Sequence, residues 1–106
     1  MISTHVLDTA RGRPAAGIAV LLEVRDDDGW RRLGAGTTDG DGRLADLVSP
    51  EAAGVGDHRL TFDTAGYAPD GFYPQVSVVF TVTDAGASHH VPLLLSPYGY
   101  TTYRGS

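Results

Sequence analysis

The side chains best suited to moving protons in this chain are His5 and His90, close to its two ends, with Arg43 between them in sequence. An imidazole changes charge near pH 6.5, so at neutral pH it can take a proton from water or return one to a leaving group. A guanidinium is a planar fork of donors suited to carbonyl or anionic oxygens. In extended chain alternate residues share a face, so Ser3, His5 and Leu7 fall together, as do Ser88, His90, Pro92 and Leu94, and again Thr101 and Tyr103. If the three strands share a sheet, His5, His90 and Tyr103 project from one outer surface beside Leu7, Pro92 and Leu94. Val91, Leu93 and Leu95 make the opposite face wholly apolar, and that face should meet the core. A monomer rarely exposes a large apolar patch, so the mixed outer face calls for a second subunit to cover it.

Spacing alone leaves other accounts open. His5 and His90 also fit satisfied histidines without a chemical role, and Arg43, directly after Gly42 at the end of a turn, also fits a solvated charge. Histidines 5, 58, 89 and 90 raise a zinc site. Adjacent strand residues point to opposite faces, however, so His89 and His90 are poorly placed to share an ion, and zinc between His5 and His90 is the version that stays open. Asp39-Gly40-Asp41-Gly42 has the start of a calcium loop but puts Arg43 at the fifth position and no Glu at the twelfth, so it is read as a hairpin turn. No Gly-x-Ser-x-Gly elbow or phosphate loop occurs, and the reading carries no metal and no organic cofactor.

The elements that must hold these groups are strands. Val76, Val78, Phe80 and Val82 alternate with Ser77 and Thr81; Val20, Leu22 and Val24 alternate with Glu23 and Arg25; Leu60 and Phe62 alternate with Arg59, Thr61 and Asp63. Clusters such as Arg11-Gly12-Arg13-Pro14, Asp28-Gly29, Asp39-Gly40-Asp41-Gly42, Gly54-Val55-Gly56 and Asp84-Ala85-Gly86 punctuate them as turns. Eight strands are expected, near 3–9, 18–26, 30–37, 42–46, 57–64, 75–84, 88–95 and 97–104. Short strands with regular turns predict an all-β, two-sheet antiparallel sandwich, with one helical turn at most, between Thr64 and Gly71.

Composition narrows the function classes. A chain of 106 residues, 42% hydrophobic and 20% charged, suffices for one domain spanning 1–106 with one core. Eight scattered Arg, no Lys and a net charge of −5 leave no cationic stripe for nucleic acid. The longest apolar run, Ala15 to Leu22, falls well short of the ~20 residues of a membrane helix. The absence of Cys removes disulfides and thiolate chemistry, and the first residues carry neither the basic nor the long apolar part of a secretory signal. A soluble, cytoplasmic protein is expected.

Two stretches carry a family resemblance: Ser3-Thr4-His5-Val6-Leu7-Asp8-Thr9-Ala10-Arg11-Gly12-Arg13-Pro14-Ala15, and His90-Val91-Pro92-Leu93-Leu94-Leu95-Ser96-Pro97-Tyr98-Gly99-Tyr100-Thr101-Thr102-Tyr103-Arg104-Gly105-Ser106. They resemble the terminal signatures of the transthyretin-related 5-hydroxyisourate hydrolases. Tyr103-Arg104-Gly105-Ser106 discriminates most, because hormone-carrying transthyretins share the preceding Ser96-Pro97-Tyr98 but lack that ending. The resemblance implies a transthyretin-like (prealbumin-like) sandwich of eight strands. It also implies a homotetramer, a dimer of dimers with sites where dimers meet, and ring-opening hydrolysis of a purine-derived small molecule. It assigns catalysis to His5, Arg43 and His90. Substrate contacts then come from Tyr103, which walls the pocket, from Ser106, and from Leu7, Pro92, Thr101 and Arg104. Departures are His89 where Tyr is common, Ser88 where His is common, and a short segment between Thr64 and Tyr73. The rival reading is a carrier that holds a small aromatic ligand in the same channel without turning it over; a surface adhesion module is the third, and the sequence offers it no support.

Overall fold

A computed structural model describes residues 1–45, 47–48, 52 and 54–106. Among the described residues there are nine strands: β1 (Ile2–Asp8), β2 (Arg13–Pro14), β3 (Ala19–Asp26), β4 (Gly29–Thr37), β5 (Arg43–Leu44), β6 (Gly56–Phe62), β7 (Val76–Val82), β8 (His89–Leu95) and β9 (Tyr100–Thr102). A helical turn, α1 (Thr64–Tyr67), precedes β7; the Asp63 side chain caps it by accepting from Gly66 N. One sheet has the order β2-β1-β8-β9, with β5 also paired to β1; the other has the order β4-β3-β6-β7.

Period-two alternation drives the sandwich. In β1 Ile2, Thr4, Val6 and Asp8 are buried while Ser3, His5 and Leu7 are half-buried on the other face. Ile2 and Val6, Val20 and Leu22, Leu60 and Phe62, Val76, and Val91, Leu93 and Leu95 form one core between the sheets. Full burial of a side chain of this size contributes roughly 1.5–3 kcal/mol, so the inward stripes fix which face of each strand turns outward. The outer face of the second sheet is polar in character: Arg59 bonds Glu23 at 2.7 Å and stacks over Trp30 at 4.4 Å. Among the described residues no helix is long and apolar enough to cross a membrane.

The eight expected strands are all present, shifted by a few residues, and the helical turn lies inside its expected window. Two features differ. Arg13–Pro14, expected wholly as turn, forms a short additional strand against Leu7 and Asp8. The pairing of β1 with β8 is parallel, whereas every other strand pair is antiparallel. Turn signals report only on neighbours along the chain, and this pair joins residues 87 apart. Part of the expected 42–46 strand, Asp46, lies outside the described residues.

Candidate active site

The parallel β1–β8 pair lays the two ends of the chain side by side. Ser3 is registered with His90, His5 with Pro92, and Leu7 with Leu94. On the other side of β1, β5 registers Arg43 with His5. Neighbouring strands lie about 4.8 Å apart, so His5, Arg43 and His90 rise from a patch two strand spacings wide. This is the outer face foreseen for His5 and His90, and Arg43 joins it from a strand remote in sequence.

A tight turn aims Arg43 and also fixes one ring. The Asp39 carboxylate accepts from the backbone N–H of Asp41 at 2.8 Å and of Arg43 at 3.0 Å. Gly42 sits at φ 74°, and its carbonyl accepts from Val6 N at 2.7 Å. A Cβ at Gly42 would stand 2.4 Å from the Val6 carbonyl oxygen, so the turn can press against β1 only with glycine there. The preceding carbonyl, that of Asp41, accepts from His5 Nε2 at 2.9 Å. A carbonyl can only accept; Nε2 therefore carries the proton, and Nδ1 is the nitrogen with the lone pair when His5 is neutral.

His90 is held from two sides. Its Nδ1 lies 2.9 Å from Ser3 Oγ. Gly105 forms a bridge to it, donating N–H to the His90 carbonyl at 2.8 Å, and a Cβ at Gly105 would come within 2.6 Å of the imidazole Cδ2. Burial, followed by the charges of His5 and Arg43, holds the His90 pKa below the ordinary imidazole value. Both His5 and Arg43 thus bear on the His90 ring.

Pro92 shapes the rest. It is buried in a strand flanked on both sides, where proline is rare because it has no N–H to give the ladder. The C-terminal segment responds: β9 pairs Thr101 with Leu94 and Thr102 with Leu93, leaves the ladder at Tyr103-Arg104, and returns at Gly105 opposite His90. Thr102 Oγ1 donates to the Pro92 carbonyl at 2.7 Å. Tyr103 and Arg104 are exposed and line, with His90, a cavity of about 210 Å³ that reaches Val78 to Thr81 of β7. Leu7 lies half-buried two residues along from His5; Thr101 and Ser106 are exposed, Ser106 next to Gly105. His5, Arg43 and His90 thus gather closely, with Leu7 and Pro92 flanking them, while Tyr103, Arg104 and Ser106 approach only from the His90 side. His89 faces inward, its Nδ1 donating to the Ala87 carbonyl at 3.1 Å, away from His90. Among the described residues no three His, Asp or Glu side chains are grouped to hold a metal ion.

Three contacts escaped sequence reasoning: the Asp41 carbonyl on His5, the Ser3 hydroxyl on His90, and the Gly105 backbone against the His90 ring. Ser3 was visible on the right face; the other two are backbone contacts with no side-chain signal.

The profile of the HIUase/Transthyretin family matches residues 2–105. The chain belongs to the HIUase/Transthyretin family. Within the family it is 46% identical to the 5-hydroxyisourate hydrolase of Salmonella typhimurium, over 100% of this chain and 81% of that protein. It is 45% identical to the mouse (Mus musculus) 5-hydroxyisourate hydrolase, over 99% of this chain and 94% of that one. The fold also superposes on sea bream transthyretin in complex with thyroxine, with a TM-score of 0.92 at 30% identity, covering 98% of this chain and 93% of that chain. One fold thus serves proteins named 5-hydroxyisourate hydrolase and a transthyretin that binds thyroxine.

Proposed function

We propose that the chain is a 5-hydroxyisourate hydrolase that opens the substrate ring to 2-oxo-4-hydroxy-4-carboxy-5-ureidoimidazoline, a step of urate degradation. The observation that carries the reading is the meeting of two imidazoles and a guanidinium on one sheet face, where burial, then neighbouring His5 and Arg43, hold the His90 pKa below the ordinary imidazole value. Identity of about 45% to proteins named 5-hydroxyisourate hydrolase, over nearly the whole chain, supports it.

Water attacks the ring carbonyl as one imidazole takes its proton, and the carbonyl oxygen becomes an oxyanion. Arg43 holds substrate oxygens and balances that charge. Collapse of the tetrahedral intermediate breaks the carbon–nitrogen bond; the imidazolium formed in the first step returns its proton to the departing nitrogen, and the carbonyl carbon ends as a carboxylate. His90 takes the water proton and returns it, while His5, its Nε2 proton held by the Asp41 carbonyl, orients the water through the Nδ1 lone pair. Leu7, Pro92, Thr101 and Tyr103 bound the pocket, with Arg104 and Ser106 at its rim. No metal or organic cofactor takes part. Four copies assemble as a dimer of dimers and close the site between dimers, which would cover the half-buried Leu7 and Leu94. Residues 1–106 act as one hydrolase domain in the cytoplasm.

The test mixes purified protein with freshly generated 5-hydroxyisourate in EDTA and follows ultraviolet absorbance. Decay well above the buffer rate is expected. Decay at the buffer rate rejects the hydrolase reading, and tight binding without turnover would move the protein to the carrier branch. Activity lost only on chelation would return zinc to the site.

A further inference from the structure

Ser3 is unused in the mechanism above, yet its hydroxyl is the group bonded to the His90 ring. We propose that Ser3 is a positioning residue whose Oγ accepts the Nδ1 proton of His90, so that the imidazole offers the lone pair of Nε2 to the attacking water. The proposal deepens the hydrolase reading and rests on it.

Three observations favour this direction of the bond. Ser3 and His90 are registered partners on adjacent parallel strands, so the 2.9 Å contact is fixed by the backbone ladder rather than by a mobile loop. A neutral imidazole carries one N–H, and a half-buried N–H needs an acceptor more than a lone pair needs a donor. Arg43, a permanent cation bearing on the ring, further favours a free lone pair over a free N–H on the side open to ligand. Gly105 complements Ser3: its backbone abuts Cδ2, on the ring edge away from Nδ1, and removes the room for the ring to swing. The two histidines then present opposite nitrogens, His5 through Nδ1 because the Asp41 carbonyl takes its Nε2 proton, and His90 through Nε2.

The experiment combines nitrogen-15 NMR of the imidazoles at neutral pH with kinetics on 5-hydroxyisourate for the wild type, Ser3→Ala and Ser3→Thr. Expected are a protonated Nδ1 on His90 in the wild type, and a mixture of tautomers in S3A. The alanine variant should lose roughly 10- to 100-fold in kcat with KM unchanged. S3T, which keeps the hydroxyl, should recover the wild-type tautomer and most of the turnover; failure to do so counts against the hydroxyl. An unprotonated Nδ1 on His90 in the wild type overturns the proposal without any variant, as does an S3A protein with wild-type kcat. A wild type that leaves 5-hydroxyisourate to its spontaneous decay instead rejects the hydrolase reading on which the proposal stands.

Discussion

His5 and Arg43 lie directly opposite each other across the antiparallel β1–β5 pair, and the turn that leads into Arg43 also supplies the Asp41 carbonyl that holds the His5 ring, 36 residues away in sequence. The turn thus sets two parts of the site at once: the direction of a guanidinium and the tautomer of an imidazole. Gly42 is its hinge. Gly42→Ala would force a Cβ to 2.4 Å from the Val6 carbonyl at a φ of 74°. We expect a loss of about 1–3 kcal/mol in urea unfolding. Turnover of the remaining folded protein should fall as well. Unchanged stability would show that the turn does not press on β1.

Arg43→Ala removes the donor that meets developing negative charge, and kcat should drop by about 10²–10³. The exposed position of Arg43 in β5 means that the thermal midpoint should scarcely move. Steady-state kinetics beside a melting curve separates the two effects, and full activity would take Arg43 out of the mechanism.

The acid limb of kcat/KM should lie below pH 6.5. Burial, then His5 and Arg43, make protonation of His90 less favourable in the folded chain than in the unfolded one. The neutral base therefore survives to lower pH than a free imidazole would. For stability the sign is the same: the unfolded chain binds the proton first, so His90 contributes no penalty above about pH 6.5 and a growing one as pH falls toward its folded value. In Arg43→Ala one repelling charge is gone, and the residual activity should show its acid limb at higher pH. A pH–rate profile with the limb unmoved would mean that Arg43 does not act on His90.

Away from the site, Tyr67 donates to the buried Asp8 carboxylate at 2.7 Å. Burial alone would raise the Asp8 pKa, but the Tyr67 hydroxyl, the backbone N–H groups of Arg11 and Ala10, and the Arg11 charge outweigh it and leave it lowered. A depressed carboxylate contributes stability that is present above its unfolded pKa of about 4 and lost as pH falls through the folded value. Tyr67→Phe should therefore cost about 1–3 kcal/mol near neutral pH. It should also bring acid unfolding to higher pH, with 5-hydroxyisourate turnover intact at 25 °C. A turnover loss as large as that of Arg43→Ala would tie the Asp8–Tyr67 pair to the reaction.

The faces of β1 and β8 were legible in the sequence because a period of two is a strong signal when one side must be buried. Val91, Leu93 and Leu95 declared the inward side of β8 and put His90 on the other, and in β1 the same period set Ser3, His5 and Leu7 together. What the pattern could not report was which strands become neighbours. Nothing between residues 8 and 89 says that β1 and β8 run parallel, and nothing in Gly42-Arg43 says that β5 docks on β1 beside His5. Those placements come from tertiary packing of distant segments. Pro92 was a signal partly unused: a proline inside a strand with partners on both sides implies a broken ladder, and the break is where Tyr103 and Arg104 leave β9.

The turnover of 5-hydroxyisourate by His90→Asn, set against the wild type at neutral pH, decides whether His90 is the base. Asn keeps a polar group of similar reach but cannot accept the proton of water, so the rate should fall by about 10²–10⁴ while the fold and melting temperature are retained. A folded His90→Asn protein that opens the ring at the wild-type rate would contradict the account.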